Sequence, residues 1–171
     1  KSRHAPLTYN WDFGDGASAT GTVTNLYDVS ARHTYTAASG TPFVARLTVT
    51  DADGRTASDT FPVIVRDKTL DVEVNKAIDD ALWYLHTTQD RTGGANHGSW
   101  HSSNYPSSHL GPQTGSSIHA MEINGHLEVG DFSQDPYVED VWQAMRYMLT
   151  ALRQAAIGDQ AYGNPDVNGN G

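Results

Sequence analysis

The chain of 171 residues contains no cysteine, which excludes disulfides and thiol chemistry but leaves the cellular compartment open. It also contains no run of about 18 apolar residues, the length that a membrane-spanning helix requires. Neither an initiator Met nor a charged-then-apolar leader opens the sequence, so we expect a mature or excised segment. The length is enough for one large domain or two small ones.

Basic residues are scarce: 11 Lys and Arg stand against 20 Asp and Glu, a net charge of −9. Residues 1–66 are balanced, with six of each sign, so the whole acidic surplus lies in residues 67–171. Proteins that bind nucleic acid present clustered positive charge. The sequence therefore predicts no nucleic-acid partner, and we interpret its acidity as a contribution to solubility rather than as a cation site.

The first part of the chain alternates apolar and polar residues with a period of two. The apolar positions are Leu7, Tyr9, Trp11 and Phe13, then Phe43, Ala45, Leu47 and Val49, then Phe61, Val63 and Val65. This alternation predicts half-buried strands of an antiparallel sandwich. Between the last two strands, the sequence DADG at 51–54 predicts a hairpin turn with Gly54 at positive φ. Because Pro62 has no N–H to donate, we expect its strand at a sheet edge or with that position facing outward.

The sequence NWDFGDG at 10–16 ends the first strand. Its motif residues are Trp11, Asp12, Phe13, Gly14, Asp15 and Gly16. The two aromatic residues belong to the core face, and residues 14–16 predict a turn in which the aspartates accept hydrogen bonds from nearby backbone N–H groups. A catalytic acid or a metal loop is the alternative interpretation of the same aspartates. We favour the turn.

Three stretches together resemble the PKD domain family: YNWDFGDG, then RHTYT at 32–36 with Tyr35, then FVARLTVTDADGRTASDTFPVIV at 43–65. The resemblance covers residues 7–66. It implies an immunoglobulin-like sandwich and a location outside the cell or at the cell surface, where this family is largely found. The Trp-Asp-Phe-Gly-Asp-Gly motif and Tyr35 are then residues that specify the fold.

The chain departs from that family at its N-terminus. PKD domains have further strands before the Trp-Asp-Phe strand, whereas only six residues precede Leu7. Immunoglobulin-like sandwiches usually need about 100 residues. We expect an incomplete sandwich whose first strands have been cut from this chain, a reading that we favour over their supply by another chain through strand addition.

The second part of the chain changes to a helical period of 3.6. One apolar stripe comprises Ala77, Ile78, Ala81, Leu82 and Leu85, and another comprises Val138, Val141, Trp142, Met145, Met148, Leu149 and Leu152. We predict that Thr69 caps the first helix, and that Asp135 caps the second with Pro136 at its first position. A shorter helix is predicted at about 114–123, ended by Asn124-Gly125, with a long loop at 90–113.

The change of period predicts an α+β multidomain chain. An incomplete β-sandwich spans residues 1–66, a short linker spans 67–69, an α-helical domain spans 70–158, and a polar tail spans 159–171.

The two long helices match each other at an offset of 63 residues, where AIDDALWYL aligns with DVWQAMRYM. A repeated helix, loop and shorter helix suggests stacked helical hairpins, and chance similarity between two amphipathic helices is the alternative. The stretch YLHTTQ…GSW also resembles the repeat of the α/α toroids of terpenoid cyclases and prenyltransferases. That resemblance implies that Gln89 and Trp100 tie the helix end to the following loop. Eight residues separate Gln89 from Gly98, more than that repeat normally has, and the cyclases' acidic cluster is absent.

Histidines concentrate in the second part: His86, His97, His101, His109, His119 and His126. His97 and His101 have the i, i+4 spacing of a metal-binding pair, but that spacing brings ligands together only on a helix, and nearby glycines disfavour one. We therefore interpret these histidines as polar loop residues. An enzyme would use His97, His101, His119 or Glu122 as acid, base or metal ligand.

The tail sequence DVNGNG reproduces the start of a calcium-binding loop. Asp166, Asn168 and Asn170 place oxygen ligands at alternate positions, followed by Gly171. The sequence stops before a bidentate Glu, so at most a weak calcium half-site is predicted, and a flexible polar terminus is the alternative. No other cofactor is indicated.

Together these observations predict a structural or adhesive module of a larger secreted or cell-surface protein, as part of an extracellular assembly. Its partners would be other protein chains or the rest of its own parent chain. An open sandwich would favour a homo-oligomer, or a fibre if neighbours supply strands. The alternative is a fragment of a toroid-type enzyme that acts on an apolar or glycan substrate.

Overall fold

A computed structural model of the chain describes residues 6–101, 109–152 and 163. Within these residues an antiparallel sheet is followed by three helices. The strands are β1 (Thr8–Asp12), β2 (Ser18–Thr22), β3 (Pro42–Thr50) and β4 (Thr56–Ile64), and the helices are α1 (Leu70–Thr88), α2 (Leu110–Glu122) and α3 (Pro136–Ala151). The described chain divides into two compact units between Ala81 and Leu82, inside α1.

The four strands form one sheet in the order β2-β1-β3-β4, with every neighbouring pair antiparallel. The three predicted strands are β1, β3 and β4, and Pro62 lies on the edge strand β4 as expected. The sequence analysis did not identify β2. Its sequence, SATGT, has no large apolar residue, and it joins the sheet by pairing with β1.

The two faces of the sheet differ in burial as the period of two predicts. On one face Phe13 and Ala45 are buried and Trp11 is half-buried, whereas Asn10 and Asp12 on the other face are exposed. Phe61 pairs with Ala45, yet it is 65% exposed. The apolar face is thus only partly covered within the described residues.

The DADG turn forms the predicted hairpin between β3 and β4. The Asp51 carboxylate accepts hydrogen bonds from the backbone N–H groups of Asp53 and Arg55, both at 2.9 Å. Gly54 takes a φ of 79° and donates its N–H to the Asp51 carbonyl. An aspartate at the first turn position and a glycine at positive φ fix the register of the hairpin.

Helix α1 begins at the predicted place, where the Thr69 hydroxyl accepts a 3.4 Å hydrogen bond from the N–H of Val72. Its predicted stripe is buried only toward the C-terminus, at Leu82 and partly at Leu85. The other stripe positions, Ala77, Ile78 and Ala81, are exposed, because nothing in the described residues covers that part of the helix.

Helix α2 begins at Leu110, four residues before the predicted start, so the predicted loop at 90–113 is shorter than expected. The additional residues at the start of the helix include Pro112. In the first turn its missing N–H costs no intrahelical bond, so the helix tolerates it. Gly125, at a φ of 94°, follows the end of the helix as predicted.

Helix α3 has the predicted N-terminus: Asp135 accepts a 3.0 Å hydrogen bond from the N–H of Tyr137, and Pro136 comes first. Its buried face is rotated from the predicted one. Val138 and Val141 are buried as expected, but Trp142, Met145, Leu149 and Leu152 are exposed, and Asp140, Ala144 and Tyr147 are buried in their place. The prediction counted apolar residues alone and therefore missed Asp140, a buried aspartate on the inward face of the helix.

The core of the second unit brings all three helices and the loop together. It comprises Leu82, Trp100, Ile118, Met121, Val141 and Ala144. Trp100 comes from the loop and lies among helix side chains, so the loop is part of the core.

Gly14→Ala should destabilise the sheet unit. Gly14 has a φ of 78°, and an added Cβ would lie 2.5 Å from the carbonyl oxygen of Val44. Strain and clash together should cost at least about 2 kcal/mol of unfolding free energy in urea titrations. Gly40→Ala is the matched control, because Gly40 has a φ of 89° with open space around it. Equal losses at both positions would contradict the role of the Val44 contact.

Candidate functional site

The Gly-Asp-Gly turn after β1 is held by its two aspartates. Asp12 accepts a 3.0 Å hydrogen bond from the N–H of Gly14, and Asp15 accepts one of the same length from the N–H of Ala17. Gly14 and Gly16 take φ angles of 78° and 93°. This geometry gives both carboxylates backbone partners, as in the turn interpretation of the motif.

A segment without regular secondary structure, residues 29–35, lies against the aromatic side of the sheet. The Trp11 indole donates to the carbonyl of Val29 at 2.9 Å, and the Tyr35 hydroxyl donates to the carbonyl of Phe13 at 3.0 Å. The His33 ring stacks on Phe13 with centroids 4.1 Å apart. Aromatic side chains with polar tips therefore supply the hydrogen bonds that attach this segment.

The two contacting parts form a pocket of about 200 Å³, here called the aromatic pocket. It is lined by Trp11, Phe13, Ala31, His33, Tyr35, Ala45, Phe61 and Val63. Phe61 forms its open side, because this ring is 65% exposed. The pocket fits an apolar group better than a charged one.

The pair of His33 and Asp15 joins the segment to the turn, with 2.7 Å between Nε2 and Oδ2. The hydrogen bond from His33, together with the N–H of Ala17, lowers the pKa of Asp15 below its usual value. Burial, with the nearby charges of Asp15 and Asp12, raises the pKa of Tyr35. Tyr35 is thus held in its neutral form, as a hydrogen-bond donor.

The second unit contains a buried charged cluster around Asp140, a fully buried residue of α3. Its Oδ2 lies 2.6 Å from Nδ1 of His86, and its Oδ1 accepts a hydrogen bond from Arg91. Its backbone carbonyl accepts a 2.8 Å hydrogen bond from the Gln89 amide. The cluster therefore connects the end of α1 and the following loop to α3.

Sequence reasoning missed this cluster, although a signal was present. Asp140 lies beside Val141 and one turn before Ala144, so an acidic residue falls on the apolar stripe of α3. His86 lies one turn after Leu82 in the same way. Charged residues at such positions indicate a buried pair when one helix supplies the acid and another supplies the base.

Gln89 and Trp100 join the helix end to the loop as the repeat resemblance implied. Gln89 donates to the carbonyl of Gly98 at 3.1 Å, and the Trp100 indole donates to the carbonyl of Leu85 at 2.7 Å. The Leu85 carbonyl also accepts the N–H of Gln89 at 3.2 Å, so the indole is an additional donor at the C-terminus of α1. A glycine at position 98 allows the loop to lie close to α3, because a Cβ there would collide with the backbone of Gln143.

The enzyme-type residues do not share one cavity in the described structure. His101 lines a groove of about 450 Å³ with Tyr84 and Trp100, whereas His97 lines another of about 540 Å³ with Trp142 and Arg146. His97 and His101 lie in the loop outside any helix, as the glycines indicated. His119 is exposed and Glu122 half-buried on α2.

His101 lies 3.5 Å from Asp90, and hydrogen bonds from the hydroxyl and the backbone N–H of Thr92, with the nearby His101, lower the pKa of Asp90.

No group of three histidine, aspartate or glutamate side chains within the described ranges could hold a metal ion. The predicted calcium half-site, formed by Asp166, Asn168 and Asn170, lies outside those ranges and stays a prediction. Among the described residues, no helix is both long enough and apolar enough to cross a membrane.

A comparison with protein-family models matches residues 1–65 to the PKD domain. This confirms the PKD resemblance for that part of the chain. The toroid resemblance of residues 70–156 finds no such support. A separate comparison with curated proteins finds no match to the chain.

Among solved structures, the chain is similar to the PKD1 domain from the Vibrio cholerae metalloprotease PrtV. The sequence identity is 26%, over 38% of this chain and 69% of that one. The TM-score of the superposition is 0.28.

Acidification should weaken the attachment of the turn to the segment. Because the folded state lowers the pKa of Asp15, its bonds stabilise the fold fully above the unfolded-state value of about 3.9, and this contribution is lost as pH falls toward the folded-state pKa. We expect Asp15→Asn to reduce stability at about pH 5 and to differ less from the wild-type chain at about pH 3. Urea titrations followed by NMR signals of the sheet would measure this. Asp79→Asn on the exposed side of α1 is the control, and a difference that grows on acidification would contradict the assignment.

Asp140→Ala should destabilise the second unit by about 3–5 kcal/mol, because it leaves the buried groups of His86 and Arg91 without their common acceptor. The measurement is urea unfolding followed by the helical circular dichroism signal. Glu139→Ala, the neighbouring acidic position, should change stability by less than about 0.5 kcal/mol. Similar losses for both variants would show that the cluster is not specifically stabilising.

Proposed function

We propose that this chain is a structural, protein-binding module of a larger extracellular or cell-surface protein. The observation that carries the proposal is the partly covered aromatic side of the sheet, where Phe61 is 65% exposed beside the aromatic pocket. A large aromatic residue exposed next to an apolar pocket is typical of a surface that another polypeptide covers. The PKD match supports the same class, since such domains occur as modules within longer extracellular proteins.

The occupant that we propose is a polypeptide segment of the second sheet of a sandwich, packed on the face of this sheet. Face-to-face packing buries the alternating apolar residues of both sheets. The edge of the sheet at β4 is less suited to pairing with an added strand. Pro62 has no N–H to donate there, and β4 also carries exposed polar residues such as Ser58 and Thr60.

The aromatic pocket is formed before any partner binds. The Trp11 indole and the Tyr35 hydroxyl are each hydrogen-bonded to a backbone carbonyl, and His33 is held between Phe13 and Asp15. Fixed side chains lose little entropy on binding, so a preformed pocket favours association. Phe61 would then pack against an apolar side chain of the covering segment.

The complete absence of cysteine from the chain allows a clean test by thiol labelling. In the 171-residue chain, Phe61→Cys and Ile64→Cys should both react readily, since these positions are 65% and 48% exposed and lie on opposite faces of β4. In the longer secreted protein, position 61 should react at least about ten times more slowly, while position 64 keeps its rate. The slowing corresponds to burial in a stable contact.

Equal labelling of the two positions in the longer protein would contradict the proposal. Protection at 64 but not at 61 would place the covering segment on the polar face instead, and would also contradict it.

A further inference from the structure

Helices α1 and α3 repeat the same pattern at an offset of 63 residues but bury different, neighbouring faces. We define a leading face, comprising Val74, Ile78 and Ala81 in α1 and Tyr137, Val141 and Ala144 in α3. We define a trailing face, comprising Leu82, His86 and Gln89 at the end of α1 and Met145, Leu149 and Leu152 at the end of α3. Each helix therefore has two faces that can pack.

Burial of these faces is complementary. The trailing face of α1 is buried, with each of its three residues 5% exposed, whereas the trailing face of α3 is open, with Met145 36% and Leu149 67% exposed. The leading face of α3 is buried, while on α1 Val74 and Ile78 are 49% and 36% exposed. Helix α1 thus buries its trailing face and exposes its leading face, whereas α3 does the reverse.

Inside the chain, the trailing face of α1 packs against the leading face of α3. Leu82 shares one core with Val141 and Ala144. The rings of His86 and Tyr137 meet edge to face, with centroids 5.8 Å apart. The same kind of contact could form wherever an open trailing face met an open leading face.

The polar residues of the internal contact support a pairing of the open trailing face with the open leading face. At the equivalent positions of the open faces, all of these polar residues are absent. Internally, His86 pairs with Asp140, and Gln89 donates to the Asp140 carbonyl. At the offset of 63, His86 corresponds to Leu149, Gln89 to Leu152, and Asp140 to Ala77. The base, the amide and the acid are all replaced by apolar residues. An open trailing face of α3 therefore has no buried base in need of an acid, and an open leading face of α1 has no acid in need of a base.

We propose that the trailing face of α3 in one copy of this chain binds the leading face of α1 in a second copy, head to tail. The inference does not depend on the proposed role of the aromatic pocket, since it uses different residues. Because the two surfaces in contact differ, each dimer keeps one open face of each kind, and addition of copies continues without closure.

The test uses the whole 171-residue chain in sedimentation velocity across a concentration series. The wild-type chain should form species larger than dimers as concentration rises. Leu149→Glu should disable the trailing face of α3, and Ile78→Glu the leading face of α1, because each would bury an unpaired charge at the contact. Each variant alone should be monomeric, with its apparent dissociation constant raised at least about 100-fold.

The decisive sample is an equimolar mixture of the two variants. Ile78→Glu keeps an intact trailing face and Leu149→Glu an intact leading face, so the mixture should form a one-to-one dimer and nothing larger. Ile123→Glu is the matched control: this residue is 68% exposed and lies outside both faces, so assembly should be unchanged. Circular dichroism confirms that each variant is folded, and Met145→Glu and Val74→Glu replace any variant that is not.

Three outcomes would overturn the proposal. A wild-type chain that stays monomeric throughout would mean that a second copy does not bind these faces, and that a further repeat of a longer chain is the better occupant. A mixture that remains monomeric would show that the two faces do not bind each other. Variants that each assemble like the wild-type chain would place the contact elsewhere.

Discussion

The arrangement of the helical unit depends on one buried carboxylate. Asp140 is fully enclosed, and a charge removed from water is tolerated only with partners at hydrogen-bond distance. His86 and Arg91 meet its side chain, and Gln89 meets its carbonyl. These three partners come from the end of α1 and the residues after it, so satisfying Asp140 places that end against α3. The remaining core follows from this placement, because Leu82 and Trp100 are brought to the same side chains of α3.

The sheet unit is held together mainly by hydrogen bonds from neutral aromatic side chains, with one partly exposed pair of titratable groups. Residues 29–35 have no regular secondary structure, and their attachment depends on the indole of Trp11, the hydroxyl of Tyr35 and the pair of His33 and Asp15. Two of these bonds end on backbone carbonyls, which a neighbouring strand would otherwise satisfy. Aromatic residues thus provide both the apolar surface of the pocket and the polar contacts that form it. The segment covers Phe13 but leaves Phe61 exposed.

Turns and helix caps could be predicted from neighbouring residues in the sequence. Strand β2 and the buried face of α3 depend on tertiary contacts. The DADG hairpin, the Thr69 and Asp135 caps and the turn at Gly125 were predictable because each depends on residues within about four positions. Strand β2 was not, since its small polar residues become a strand only through pairing with β1. The buried face of α3 was not predictable from apolar residues alone, because Asp140 had to be counted as an inward residue. Within the candidate site, the aromatic residues were recognised, whereas the role of His33 depends on a contact with Asp15 across 18 residues.

The position of buried charge also distinguishes inner from outer surfaces in this chain. Asp140, the buried acid beside the leading face of α3, is stable only where another helix presents a base, so the contact of α3 with α1 is specified by His86 and Asp140. An apolar face carries no such requirement, and it can bind any surface of matching shape. The faces that remain open, on α1 at Ala77 and on α3 at Leu149, are apolar at the positions where the inner contact is charged. The contact within the chain is therefore the specific one of the repeat, and its exposed apolar residues are the less specific ones.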